Sequence, residues 1–240
     1  VSDAFAKVMK EKLNLPPEKL ITVHLGIDPD EYAFTPVSQK NRTIGFVSRM
    51  CHANGLDILV DAFILLRRRP GYDDVRLVLT GGSTGEDRKF LAGIREKLKK
   101  SGLAGQVEFH HDFEEKGLRE FFKKVSLVSV PVRNGEAFGI YLLECMISGI
   151  PVVQPALGAF PEIIETTGGG TTYGTNDPEH LAGSLATLLD DPAKMDLLGK
   201  QGARGVKEYF NINTQAEKMI EVYRAAAESG APVITEKEKI

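Results

Sequence analysis

Glu136 and Glu144 stand eight positions apart in the run Val130-Pro-Val-Arg-Asn-Gly-Glu-Ala-Phe-Gly-Ile-Tyr-Leu-Leu-Glu-Cys-Met-Ile-Ser-Gly-Ile-Pro-Val-Val153. The run reads as strand, glycine-bearing loop, helix, glycine stop and strand. With a helix between them, the two carboxylates are separated by about 12 Å along the axis, Glu144 leaning back toward the N-terminus. A diphosphate fits in that gap. Free N–H groups near Gly139, Ile140 and Tyr141 present partial positive charge to an anion, and Gly139, lacking a Cβ, lets a phosphate approach the backbone. Carboxylates at either end accept hydrogen bonds from sugar hydroxyls, and charged acceptors make the stronger bonds. The implied ligand joins a sugar, a diphosphate and a ribose. Taken singly, Glu136 also reads as a helix-start residue favoured by the dipole, and Glu144 as a solvated helix residue.

Such a loop needs a scaffold, and the chain supplies a repeating one. Strand-like apolar runs at 43–48, 75–80, 107–109 and 126–130 are each followed by a helical pattern, at 56–66, 86–100, 116–124 and 139–148. Shorter runs at 151–153 and 171–173 complete the set, and 178–190, 193–209 and 214–227 read as three closing helices. Short apolar strands alternating with helices predict an α/β fold, a parallel sheet covered on both faces. Ahead of it, Ala4, Phe5, Val8, Met9 and Leu13 mark a helix, Pro16-Pro17 breaks it, and 21–25 is an extended run ending at Gly26. We divide the chain into a hinge segment (1–27), a binding domain (28–210), a C-terminal helix (211–228) and a polar tail (229–240). Because the helical pattern begins at once, the chain is expected to be a fragment.

In open sheets of this type ligands sit beyond the carboxyl ends of the strands, which directs attention to loops 49–54, 81–85, 110–113 and 131–139. Thr80-Gly-Gly-Ser-Thr-Gly85 lacks both the Gly-Lys-Ser/Thr ending of a P-loop and a GxGxxG pattern. It reads as a plain turn in which Gly81 and Gly82 let a ligand come close. Adjacent His110 and His111 point to opposite faces of an extended segment and do not chelate a metal together, although His111 lies where a nucleobase would be flanked. Glu162, in Phe-Pro-Glu, reads as a helix-start residue.

A net charge of −3, with scattered Lys and Arg, excludes a nucleic-acid footprint. Cys51 and Cys145 are isolated, so no disulfide framework or structural metal site is expected. No apolar run approaches the roughly 18 residues of a membrane span, and no signal segment opens the chain. A cytoplasmic location is expected, with peripheral membrane association of a longer form left open.

The paired glutamates resemble the Glu-x7-Glu signature of the retaining family-4 glycosyltransferases, which have the two-domain GT-B architecture. The resemblance extends to Val23-His24-Leu25-Gly26-Ile27-Asp28, to Arg49 with Gly55-Leu56-Asp57, and to Gly158-Ala-Phe-Pro-Glu162. It implies that this chain is the Rossmann-like, donor-binding half. It further implies that Glu144 holds the ribose hydroxyls, that Glu136 contacts the transferred sugar as the catalytic carboxylate, and that Phe138, Gly139 and Ile140 line the sugar–diphosphate turn. Arg49 would grip the diphosphate; its planar guanidinium suits that anion. The implied reaction is retaining and needs neither cofactor nor metal; the donor is a nucleotide-diphosphate sugar. The acceptor, a sugar, lipid or small molecule, would be bound by an N-terminal domain absent here, so the isolated domain is not expected to catalyse transfer. Asn54 stands where the family commonly places lysine, which halves the cationic clamp; His52 compensates weakly, since histidine is mostly uncharged near neutral pH. Two other functions fit the same architecture, a sugar-nucleotide epimerase or phosphorylase and a non-catalytic sugar-nucleotide binder.

Overall fold

The computed structural model describes residues 1–16, 19–110 and 115–228, with the backbone alone for 115 and 116. Pro17, His111 and the 229–240 tail therefore lie outside the described residues. Six parallel strands form one sheet: β1 (Thr43–Val47), β2 (Arg76–Thr80), β3 (Val107–His110), β4 (Leu127–Val128), β5 (Val152–Pro155) and β6 (Gly170–Tyr173). All five residues of β1 are buried, as the unbroken apolar run predicts for a strand covered on both faces.

The strand order is β3-β2-β1-β4-β5-β6. Chain direction across the sheet reverses between β1 and β4, and the loops leaving these two strands frame the crevice where doubly wound sheets bind ligands. Helices α1 (Asp3–Leu13), α2 (Leu56–Arg67), α3 (Arg88–Lys100), α4 (Glu115–Lys124), α5 (Ile140–Ile147), α6 (Phe160–Thr167), α7 (Pro178–Leu189), α8 (Pro192–Tyr209) and α9 (Ile212–Glu228) accompany the strands. Helix α2 packs on α7, and α5 on α8. Phe46, Phe63, Leu79, Leu127, Leu142 and Phe160 are fully buried in one core.

Two local expectations change. The extended run at 21–25 forms no strand; the hinge touches the main body as an isolated parallel bridge between Ile27 and Asn211. The Glu136–Glu144 segment is not one helix, because α5 begins at Ile140. Glu136 instead sits in the preceding loop, bridged to Gly158. Glu162 stands in the first turn of α6, as the helix-start reading of Phe-Pro-Glu expects, and the helix runs eight residues.

Candidate active site at the β1–β4 crevice

The loops after β1 and β4 are pressed together. A Cβ on Gly55, whose φ is +71°, would lie 1.9 Å from the Pro131 carbonyl oxygen, so only glycine serves there. The Arg133 N–H donates to the Ala53 carbonyl (3.1 Å), its Nε to the His52 carbonyl (3.1 Å), and its Nη2 pairs with Asp57. Gly139 (φ +82°) caps the N-terminus of α5 with no side chain bonded over it. The first N–H groups of the helix therefore keep the partial positive charge that an anion would meet.

Glu136 is half-buried, and its Oε1 accepts from the Ala137 N–H at 3.0 Å. Its backbone is held from the other side, where Ala159 N–H donates to the Glu136 carbonyl at 2.9 Å. Ile140 is 43% exposed at the start of α5. Phe138 is buried, its ring centroid 6.3 Å from that of His24 and 6.0 Å from that of Phe210. Beneath Gly139, the Tyr141 hydroxyl is buried without a hydrogen-bond partner among the described residues. Burial pushes its phenol far up, with the Glu136 charge the next cause.

Glu144, on the second turn of α5, accepts a hydrogen bond from the Tyr32 hydroxyl at 2.9 Å. Burial raises its carboxyl above the usual range, and the Tyr32 bond pulls it partly back. The Tyr32 phenol is raised in turn, by burial first and then by the Glu144 charge. A small cavity of about 50 Å³, lined by Glu31, Tyr32, Leu118, Arg119, Phe122 and Glu144, opens beside the pair.

Arg49 is drawn to the β2–α3 loop. Its Nε donates to Asp87 Oδ2 at 3.1 Å, and Nη2 to Thr84 Oγ1 at 2.9 Å and Asp87 Oδ1 at 3.3 Å. The Thr84 N–H, then Arg49, hold the Asp87 carboxyl below its ordinary range. Here the fork serves a neighbouring carboxylate, leaving Nη1 without a bond among the described residues. Asn54 is likewise engaged, donating from Nδ2 to Ser48 Oγ (2.8 Å) and to the Arg49 carbonyl (3.1 Å). Gly81 and Gly82 join the loops at the same sheet edge: Gly81 N–H donates to the His110 carbonyl at 3.1 Å, and Met50 N–H to the Gly82 carbonyl at 2.9 Å.

The N-terminal segment contacts the loop after β4 and the start of α6. Ser2 caps α1 and donates from Oγ to the Ala137 carbonyl at 2.6 Å. Glu162 accepts from the Asp3 and Ala4 N–H groups, both at 3.0 Å, and faces His24 Nε2 at 2.5 Å. Asp3, His24 and Glu162 thus cluster as potential metal ligands, but both Glu162 oxygens already accept hydrogen bonds, which accounts for the grouping. Sequence reasoning missed Tyr32, Asp87 and Arg133, whose partners are remote in sequence.

Residues 41–191 match the family model described as glycosyl transferases group 1. That is more than half of the chain, and the protein belongs to this family. It is 29% identical over 206 residues to the lipopolysaccharide core biosynthesis mannosyltransferase LpsB of Rhizobium meliloti, covering 84% of this chain and 54% of that protein. To the D-inositol 3-phosphate glycosyltransferase of Kineococcus radiotolerans it is 28% identical, covering 96% and 57%. The chain spans little more than half the length of these relatives. Among solved structures, the Anabaena protein HepE in complex with UDP superposes with a TM-score of 0.82 at 21% identity, over 93% of this chain and 62% of that one. The C-terminal domain of the Francisella tularensis group 1 glycosyl transferase LpcC gives 0.69 at 23%, over 78% and 100%. These likenesses establish the fold, the Rossmann-like half of a GT-B glycosyltransferase. No helix among the described residues is long and apolar enough to cross a membrane.

Proposed function

We propose that residues 28–210 bind the nucleotide-diphosphate sugar donor of a retaining, metal-independent glycosyl transfer. One observation carries this reading: Glu136, Gly139 and Glu144 occupy the loop and helix that leave β4 at the switch point of the sheet. The open N-terminus of α5 takes the diphosphate, and its fixed N–H dipoles stabilise the charge that develops on the leaving phosphate. Glu144 accepts the ribose hydroxyls and Glu136 those of the transferred sugar. Arg49 joins the diphosphate by exchanging Asp87 for the incoming anion, a trade between two oxyanions that its guanidinium tolerates. The acceptor belongs to a further domain, and the whole protein works in the cytoplasm.

The test is calorimetric titration of this chain with UDP, GDP, ADP and their sugar conjugates. Selective binding, weakened by Glu144→Ala in a folded protein, supports the reading; unchanged affinity in that variant removes Glu144 from the site. A second reading, binding without turnover, draws on the engagement of Arg49 and Asn54 within the protein. Turnover by a longer form of the protein, lost on Glu136→Ala without unfolding, eliminates it.

A further inference from the structure

We propose that Tyr32 is the positioning residue of the ribose subsite, its hydroxyl fixing the Glu144 carboxylate in the orientation that receives the vicinal diol of a nucleoside diphosphate. The inference rests on the donor-site reading of Glu144 and assigns a determinant that the Glu-x7-Glu spacing does not contain.

Tyr32 follows the short helical turn Pro29–Glu31, and its N–H closes that turn on the Pro29 carbonyl at 3.4 Å. The ring meets Phe122 of α4 edge to face, centroids 6.2 Å apart at 60°. The hydroxyl then reaches across to α5, 2.9 Å from Glu144 Oε1. The phenol is thus held at both ends, by packing and by one directed bond. A phenylalanine would keep the packing; what tyrosine adds is the bond to Glu144.

Among the described residues Tyr32 is the sole hydrogen-bond partner of the Glu144 side chain. An ionised carboxylate offers about four acceptor positions, so one donor from the protein leaves room for two from a ribose. It also fixes a flexible side chain before the ligand arrives. The same bond keeps the acceptor charged. Burial favours the neutral acid, which has a proton where a hydroxyl should donate, and the Tyr32 hydrogen bond counters that shift.

Among the described residues, the charged and titratable groups near Glu144 are the following. Glu31 and Arg119 line the same cavity. Cys145 is adjacent in sequence, its thiol pushed up by burial and then by the Glu144 charge, and Lys40, which acts on Cys145, is lowered by burial to about 8. A Glu144→Gln background separates the effect of Glu144 from that of the neighbouring Glu31 carboxylate.

The experiment compares wild type, Tyr32→Phe, Glu144→Gln and the double variant. Each is titrated with UDP, GDP and ADP and with their 2′,3′-dideoxy counterparts, from acid to neutral pH, with melting curves to verify the fold. The wild type should prefer ribonucleotide to dideoxynucleotide. Tyr32→Phe should lose roughly tenfold in ribonucleotide affinity, the loss of one hydrogen bond to a charged acceptor. Its affinity should also fall away at a higher pH than in the wild type, because Glu144 protonates earlier. Dideoxynucleotide affinity should hold, and Tyr32→Phe should add nothing in the Glu144→Gln background. Unchanged ribonucleotide affinity in a folded Tyr32→Phe protein, or an equal loss for both sugar forms, overturns the role of Tyr32 while leaving Glu144 in place. A wild type with no preference for ribose overturns the Glu144 assignment itself, and the Tyr32 proposal with it.

Discussion

At the scale of single residues, the site sets function against stability at Glu144. Its carboxyl is raised by burial relative to the unfolded chain, so folding favours the protonated form there. Ionised Glu144 opposes folding at neutral pH, and that penalty disappears as pH falls through the raised pKa. Glu144→Gln, whose amide oxygen still accepts from Tyr32, should therefore melt higher at neutral pH, on the order of 2 °C. The advantage should vanish in acid, while nucleotide affinity falls at neutral pH and converges on that of the wild type as Glu144 protonates; a lower melting temperature at neutral pH would contradict the burial argument. Position 54 presents the opposite trade. Asn54→Lys removes the bonds to Ser48 and the Arg49 carbonyl, at a cost of about 1 kcal/mol, and restores a cation to the loop. Nucleoside diphosphate affinity should rise about fivefold to tenfold by calorimetry. An unchanged affinity would mean that position 54 does not face the diphosphate.

At the scale of elements, the crevice depends on how closely the β1 and β4 loops approach. Gly55→Ala drives a Cβ into the Pro131 carbonyl at a left-handed backbone position. It should destabilise the protein by roughly 2–4 kcal/mol in denaturant titration and loosen the diphosphate site with it. Glu162 performs a similar service for α1. Glu162→Ala should cost about 1 kcal/mol and speed hydrogen exchange at the Asp3 and Ala4 amides, which lose their acceptor. The sheet was legible beforehand because buried parallel strands such as β1 and β2 read as apolar runs between helical periods. The run at 21–25 carries the same signal yet forms no strand, and pairing is a tertiary fact that local composition does not record. The start of helix α6 was legible at Phe-Pro-Glu, but its eight residues, ending in two threonines, carry too little periodicity to show its length. In the candidate site, the juxtaposition of Glu136, Gly139 and Glu144 was legible because they share one strand–loop–helix segment. Tyr32 was not, since it meets Glu144 across 112 positions, nor was Arg133, which meets Asp57 across 76.

For the whole molecule, six parallel strands and their helices bury a single continuous core beneath a candidate site at the carboxyl ends of the central strands. On the proposed function, that architecture couples ligand to stability: the β1, β2 and β4 loops and the N-terminus of α5 are correctly placed only when the sheet is formed, so a nucleoside diphosphate would bind the folded state alone. By mass action, ligand at a hundred times its dissociation constant should add about 2.7 kcal/mol to the free energy of unfolding. For a chain of 240 residues each kcal/mol moves the melting temperature by roughly 2–4 °C. Saturating nucleotide should thus raise the melting temperature by roughly 5–10 °C, readable by scanning calorimetry. The nucleoside alone should give a much smaller shift, because the proposed function assigns the phosphates to the α5 N-terminus and Arg49. Equal shifts for nucleoside and nucleoside diphosphate would place the binding energy elsewhere than at the β1–β4 crevice.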